Sequence, residues 1–266
     1  PTKVLMSGYH DSKKAFDDLQ DIIESSSITS LTPEQKKNAL SEFRKLESVF
    51  KLLQEARERF DGLKKEFEEK KLAWPPQNIY IRSFKYDRLL ELWVKNKTDE
   101  SFTLFKSYKV CMQSGSIGPK RAEGDKQVPE GFYYVNEFNA NSNYHLSLGL
   151  NYPNAADKIL SDAKRPGGAI YIHGKCVSTG YIAIQDNAIE EVYLIAEQAK
   201  TNGQDFIPVH IFPIKYDVPQ SLNYLTETVQ GSQSVLKFIL SVKAVFDYFE
   251  EKKQLPVILV NKKGDY

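Results

Sequence analysis

The sequence has few cysteines, no excess of either charge and no long apolar run. Only two of its 266 residues are cysteine, too few for the disulfide scaffold of a small secreted domain. Lys and Arg number 36 and Asp and Glu 35, a formal net charge of +1, so the cationic excess typical of proteins that bind nucleic acid or anionic membranes is missing. No apolar run approaches the ~18 residues of a membrane span. With 41% hydrophobic and 12% aromatic residues, a packed globular protein is predicted.

A recognisable export signal is also missing. The chain starts PTKVLMSGYH, without the basic start and apolar core of a secretory leader. Its first residue is Pro1 rather than Met, which favours a mature chain that has lost its signal over a cytosolic one. Composition alone leaves both open.

Residues 31–71 are rich in Glu, Lys, Leu and Phe. Thr32, Pro33 and Gln35 have the pattern of an N-cap, a first helical residue and a capping-box partner. Apolar residues then follow at alternating spacings of three and four, which predicts one apolar seam along a long helix. The seam consists of Ala39, Phe43, Leu46, Phe50, Leu53, Phe60 and Phe67.

A second, shorter helix is predicted over residues 11–25, with Phe16, Leu19, Ile22 and Ile23 on one side. Joined by a turn at residues 25–31, the two helices would form an antiparallel hairpin. Such a module serves either for packing or spacing, or as a coiled coil that binds a protein partner.

The two prolines at positions 75 and 76 end this region, and the hydrophobic period then changes to two. Short alternating runs predict half-buried strands from residue 79 onward, and helices are predicted only later, at residues 186–200 and 234–252. This order indicates an α+β fold on a mostly antiparallel, β-rich sheet. We expect three parts: residues 1–76 with the helical hairpin, residues 77–218 with the sheet, and residues 219–266 with C-terminal helices and a final strand.

One segment carries the ingredients of cysteine chemistry. A predicted strand ends at His173, and Lys175 and Cys176 follow in a turn. An imidazole can accept a thiol proton, and nearby positive charge lowers the thiol pKa from about 8.5. Taken alone, both residues are more often structural, the histidine hydrogen-bonded and the cysteine packed.

Four short segments with glycine, proline or both precede this histidine in order: SGSIGPK at 114–120, EGD at 123–125, PEGFY at 129–133 and NYPN at 151–154. Together with the His-Gly pair, they resemble the L,D-transpeptidase catalytic domain of the YkuD type, and most closely its murein L,D-transpeptidase or YafK-like branch. The resemblance covers about residues 78–217. It implies a β-rich fold that acts on peptidoglycan stem peptides, next to meso-diaminopimelate, in the periplasm or cell envelope.

In that branch the pattern reads His-Gly-x-Cys-Val-Ser-x-Gly-Cys, and the last cysteine is the nucleophile. The resemblance therefore gives His173 the role of general base. Cys176 takes the accessory cysteine position, and Tyr181 the position of the nucleophile. The matching residues are His173, Gly174, Cys176, Ser178, Gly180 and Tyr181.

The tyrosine matters because its reference pKa is about 10, so about one phenol in a thousand is ionised at neutral pH. We therefore predict a protein that binds stem peptides without turning them over, with the Tyr181 hydroxyl bonded to His173. Two alternatives stay open: an active enzyme that uses Cys176 with His173, and a scaffold that binds a partner through the hairpin.

Other candidates are fewer. Lys120, Arg121 and Lys126 flank a glycine-rich loop and could meet the carboxylates of a stem peptide. Tyr144 and His145 belong to the segment that lines the cleft in the family that the chain resembles, and His145 could equally be a surface residue. Cys111 also matches an accessory cysteine of the branch, with buried packing as its expected role. No metal-ligand spacing, phosphate loop or dinucleotide motif is present, so we expect neither a metal nor a cofactor.

Overall fold

The computed structural model describes residues 13–14, 16–18, 20–21, 32–229 and 232–266. The chain divides into two compact units, residues 1–66 and 67–266. Helix α1 spans Pro33–Glu69, and its predicted capping box is confirmed. The Gln35 amide donates to the Thr32 hydroxyl at 3.2 Å, while the Thr32 amide donates to the Gln35 side chain at 2.9 Å.

Of the shorter predicted helix, the described residues are all helical. The ring of Phe16 stacks on Phe43 and Phe50, with ring centroids 5.3 and 4.9 Å apart. The predicted contacts of Leu19, Ile22 and Ile23 and the turn at 25–31 lie outside the described residues, so the hairpin stays a prediction.

The second unit is built on a sheet of eight strands in the order β3-β2-β1-β8-β4-β5-β6-β7. Neighbouring strands are antiparallel except β1 with β8 and β6 with β7, which are parallel. The strands are β1 Asn78–Phe84, β2 Leu89–Lys95, β3 Thr103–Lys109, β4 Gly131–Asn139, β5 Ser147–Leu150, β6 Ile170–His173, β7 Ile182–Ala183 and β8 Pro208–Phe212. The predicted α+β fold with a mostly antiparallel sheet is confirmed.

The neighbouring strands β1 and β2 are buried on both faces, not half-buried as the alternation predicted. The polar side chains on one face, Arg82 and Glu91, form a buried ion pair with 2.5 Å between Nε and Oε2. The Arg82 guanidinium also lies over the rings of Trp93 and Phe249, 4.8 and 4.9 Å from their centroids. A polar residue that finds such partners can be buried, so alternating polarity misled the prediction.

Helices cover the sheet. The remaining helices are α2 Ala155–Leu160, α3 Asp186–Thr201, α4 Pro219–Thr228 and α5 Gln233–Lys252. Helix α3 contacts β1, β5 and β6, and Phe246 of α5 packs on Phe84 of β1 at 6.0 Å between centroids. None of the described helices has the length and apolar character needed to span a membrane.

The final strand predicted after α5 does not form. Residues 255–260 have no strand partner among the described residues. Pro256 has no N–H to donate to a ladder, and Val257 and Leu259 are 88% and 76% exposed.

Candidate active site

His173 is the last residue of β6 and pairs with Ser147 of β5 on one side and Ala183 of β7 on the other. Its side chain is buried, with 1% of its surface exposed. Because His173 ends a strand that lies between two others, the sheet holds its backbone in place, and the chain turns away from the sheet after this residue.

The hydrogen bonding of His173 fixes its tautomer. Nδ1 lies 2.6 Å from the carbonyl oxygen of Gly174, and a carbonyl only accepts, so Nδ1 carries the proton. Nε2 then has a free lone pair, and it is buried without a hydrogen-bond partner among the described residues. Burial lowers the pKa of His173 below its usual value, against an opposing contribution from the Gly174 bond. The imidazole is thus neutral at neutral pH and able to accept a proton.

A cleft of about 260 Å³ opens beside this imidazole; we call it the histidine cleft. Its walls carry amide, hydroxyl and phenol groups, which suit a ligand with peptide groups. The lining residues are Asn139, Asn141, Ser142, Asn143, Tyr144, Ser147, Ala169, Tyr171, His173 and Tyr181.

Tyr181 lies in this cleft, with its ring centroid 6.0 Å from that of His173. Tyr144 lies closer to the imidazole, at 4.8 Å between centroids. The predicted hydrogen bond from the Tyr181 hydroxyl to His173 does not form, since His173 Nε2 has no partner in the described part of the chain and Nδ1 bonds Gly174. The two rings meet edge to face instead, at 74°.

The turn before Tyr181 is closed by Ser178. Its hydroxyl donates to the Tyr181 carbonyl at 2.8 Å and accepts from the Tyr181 amide at 3.2 Å. Gly180 has a φ of +84°, a left-handed conformation that favours glycine, and its amide donates to the Ser114 hydroxyl at 2.7 Å. Ser178 and Gly180 therefore hold the backbone of the turn.

Gly174 is required because the chain passes very close to its neighbours. A Cβ here would lie 2.7 Å from Oδ1 of Asp186 and 2.8 Å from the Tyr144 carbonyl. The same Asp186 oxygen accepts from the Lys175 amide at 2.6 Å, and the Lys175 ammonium donates to the Asn143 carbonyl at 2.6 Å. These contacts tie the turn after His173 to the start of α3 and to the wall of the histidine cleft.

Cys176 forms a disulfide with Cys111, with Cα atoms 5.7 Å apart. The bond joins the segment after β3 to the His-Gly turn. Cys111 is therefore cross-linked rather than simply packed. With the bond in place, Cys176 has no thiol for the alternative in which it attacks the substrate.

Lys120 is buried and its charge is already neutralised. Its ammonium donates to Asp125 at 2.5 Å and to the Ala122 carbonyl at 2.8 Å. It lies at a second cleft of about 640 Å³, the cationic cleft, which shares Ala169 and Tyr181 with the histidine cleft. The lining residues are Lys120, Glu123, Gly124, Lys126, Lys164, Arg165, Pro166, Gly167, Gly168, Ala169, Ile170, Thr179, Gly180 and Tyr181.

Lys85, the residue after β1, anchors the loop that connects β3 to β4. Its ammonium lies 2.9 Å from the Glu130 carboxylate and donates to the carbonyls of Ser116 and Val128 at 2.7 and 2.9 Å. A buried charge with this many partners fixes the loop.

Tyr144 and His145, both predicted to line the cleft, have different surroundings. Tyr144 lines the histidine cleft, whereas Nε2 of His145 bonds the Glu190 carboxylate of α3. His145 has a φ of +76°, and the chain bends at this residue, so the two adjacent side chains have different surroundings. No group of three or more His, Cys, Asp or Glu that could hold a metal was found within the described part of the chain.

Sequence reasoning missed Asp186 as the residue that holds the turn, and Asn141 and Asn143 as walls of the cleft. The Asn- and Ser-rich stretch at 139–145 was a usable signal, because short polar side chains are common where loops form binding sites.

Comparisons with known proteins identify the family of this chain. Residues 79–211 match the model of the L,D-transpeptidase catalytic domain family named YkuD. YafK of Escherichia coli, an L,D-transpeptidase by name, is 32% identical over 198 residues, which are 74% of this chain and 75% of YafK. The chain belongs to the L,D-transpeptidase family of cell-wall proteins.

Two solved structures are also similar. The helical cell shape determining protein Pgp2 of Campylobacter jejuni has a TM-score of 0.41 and 23% identity, over 52% of this chain and 48% of Pgp2. Bd1075 of Bdellovibrio bacteriovorus has a TM-score of 0.39 and 19% identity, over 67% of this chain and 63% of Bd1075.

Proposed function

We propose that this protein binds peptidoglycan stem peptides in the histidine cleft, in the periplasm or cell envelope, without catalysing acyl transfer. The observation that carries the proposal is the missing thiol. The chain has two cysteines, and they are bonded to each other. The family resemblance assigns the nucleophile position to Tyr181, whose ring centroid lies 6.0 Å from that of His173.

The chemistry of acyl transfer needs a nucleophile that His173 can deprotonate. The imidazole is neutral and has a free Nε2 lone pair, so the base is in place. A phenol at the nucleophile position is a poor substitute for a thiol. Removing the nucleophile from a catalytic group that acts as a unit costs about a millionfold in turnover in the best-studied case.

Binding of a peptide is supported by the lining of the cleft. Asn141, Asn143 and Ser142 offer amide and hydroxyl groups to peptide N–H and C=O groups, and Tyr144 and Tyr171 offer flat surfaces to side chains. Such a mixture of a few polar groups and aromatic walls is typical of small-ligand sites.

Incubating the whole protein with isotope-labelled muropeptides tests both claims of the proposal, that the protein binds stem peptides and that it does not catalyse acyl transfer. We expect binding by calorimetry, and no acyl exchange or cleavage above the level of a His173→Ala variant. Activity above that level would overturn the catalytic half of the proposal, and a lack of binding would overturn the other. Adding a dithiol reductant, with Cys176→Ser as its control, asks whether a released Cys176 thiol contributes activity.

A further inference from the structure

The cationic cleft carries a charge that the proposed function does not use. Four cations line it, Lys120, Lys126, Lys164 and Arg165, against one carboxylate, Glu123. Two of these cations have partners: Lys120 bonds Asp125, and Arg165 bonds Glu123 at 2.9 Å. Within the described residues, the ammonium groups of Lys126 and Lys164 form no ion pair.

Lys126 is held in place through its backbone. Its carbonyl accepts from the Ser114 hydroxyl at 2.7 Å, and that hydroxyl accepts from the Gly180 amide at 2.7 Å. Lys126 itself has a φ of +57°, a conformation that a residue with a Cβ seldom adopts unless its surroundings require it. The backbone that carries this charge is thus bonded through one side chain to the turn that carries Tyr181.

The position of the cleft indicates the kind of ligand. It meets the histidine cleft at Ala169 and Tyr181, so a peptide bound beside His173 can extend into it. An anionic group attached to such a peptide is a carboxylate, which an ammonium group binds by a charge-assisted hydrogen bond. A carboxamide has nearly the same shape, but it has no charge and presents an N–H₂ donor of its own.

We propose that Lys126 and Lys164 make the cationic cleft a carboxylate-binding subsite, so that the protein prefers a stem peptide with free carboxylates over the same peptide with carboxamides. This inference rests on the proposed function, because the peptide must first occupy the histidine cleft. Both lysines are exposed, so the preference depends on ionic strength and weakens in high salt.

Calorimetry with two synthetic stem tetrapeptides tests the inference, one with free carboxylates and one with carboxamides in their place. We expect the whole wild-type protein to bind the first about tenfold more tightly at low salt, since exposed charge pairs each contribute up to ~1 kcal/mol, or about fivefold. In a Lys126→Gln/Lys164→Gln variant the two affinities should agree within about twofold.

The matched control is Lys109→Gln/Lys262→Gln, which removes the same charge from two exposed lysines outside both clefts. It should keep the wild-type preference. Equal affinities in the wild type, or a preference that survives in Lys126→Gln/Lys164→Gln, would overturn this inference alone. If neither peptide binds the wild type, the proposed function fails and this inference fails with it.

Discussion

At the scale of single residues, the proposed loss of acyl transfer depends on one side chain, Tyr181. His173 has the tautomer of a base, and the turn at Ser178 and Gly180 is fully bonded. In the proposed assignment, Tyr181 occupies the nucleophile position and brings a phenol instead of a thiol. A single substitution at position 181 can therefore test whether the site supports acyl transfer.

We expect Tyr181→Cys to gain acyl transfer or hydrolysis on labelled muropeptides, because a thiol has a pKa of about 8.5 and is far more nucleophilic than a phenol at neutral pH. The measurement is product formation by mass spectrometry. Tyr181→Cys/His173→Ala should lose most of the gain, on the order of 10²–10⁴-fold for a lost general base. No gain in Tyr181→Cys would mean that the cleft has lost more than its nucleophile.

Gly174 gives a second prediction at this scale. In Gly174→Ala the new methyl group would meet Asp186 Oδ1 and the Tyr144 carbonyl below 3.0 Å, so the turn must shift. We expect a loss of about 1–3 kcal/mol in the free energy of unfolding, measured by urea denaturation, together with weaker peptide binding.

Gly168→Ala is the matched control, because a Cβ there meets nothing within 4 Å. It should be neutral or slightly stabilising, since alanine restricts the unfolded chain. A Gly174→Ala protein as stable as Gly168→Ala would contradict the close approach.

At the scale of elements, the disulfide is the main covalent support of the site. Cys111 follows β3 and Cys176 follows β6, and 65 residues separate them. The bond closes a long loop in the unfolded chain, and the chain-entropy model assigns about 4 kcal/mol to a loop of this length, usually an upper value.

Cys111→Ser/Cys176→Ser should therefore lose about 2–4 kcal/mol in the free energy of unfolding, with a lower Tm. Thiol titration of the wild type without reductant should find no free thiol in the native or the denatured protein. Two free thiols under those conditions would contradict the cross-link.

Most elements were predictable from the sequence because they are regular. The two-residue period located β1, β2 and β8, and the capping box located the start of α1. Helix α2 is six residues long and strand β7 has two, too short for a period to be visible. The burial of Arg82 and Glu91 was also not predictable, because it depends on partners distant in sequence.

The candidate site was predictable only where its residues belong to local sequence motifs. His173, Tyr181 and Tyr144 were found from local motifs, and all three line one cleft. The partners of Lys120 and His145, and the bond between the cysteines, arise only when distant segments fold together. No pattern of spacing in a single chain reports such pairings.

At the scale of the whole molecule, two buried titratable groups, His210 and Asp157, couple stability to pH. His210 lies between the rings of Tyr80 and Phe132, 4.8 and 4.7 Å between centroids. Burial and then the nearby charge of Arg82 lower the pKa of His210 to about 3. Asp157 has the opposite shift, since burial raises its pKa to about 6 against the bonds from Tyr133 and Asn154.

As the pH falls, the two groups change the free energy of unfolding in opposite directions. Between about pH 6.5 and pH 3 the unfolded chain protonates His210 while the folded protein does not, so its contribution to stability falls as the pH falls. Between about pH 6 and pH 4 the folded protein protonates Asp157 while the unfolded chain does not, so its contribution rises as the pH falls.

We therefore expect His210→Gln to reduce the loss of stability as the pH falls, and Asp157→Asn to increase it. Between about pH 7.5 and about pH 5, His210 accounts for a loss of about 2 kcal/mol and Asp157 for a gain of about 1 kcal/mol. Urea denaturation at both pH values gives, for each protein, the change in the free energy of unfolding between them. A destabilisation that is the same at both pH values cancels in this change. His210→Gln should lose less stability than the wild type over this interval and Asp157→Asn should lose more. Because both carry uncharged amides, parallel behaviour of the two variants would contradict the assignment of these two buried groups as the source of the pH dependence.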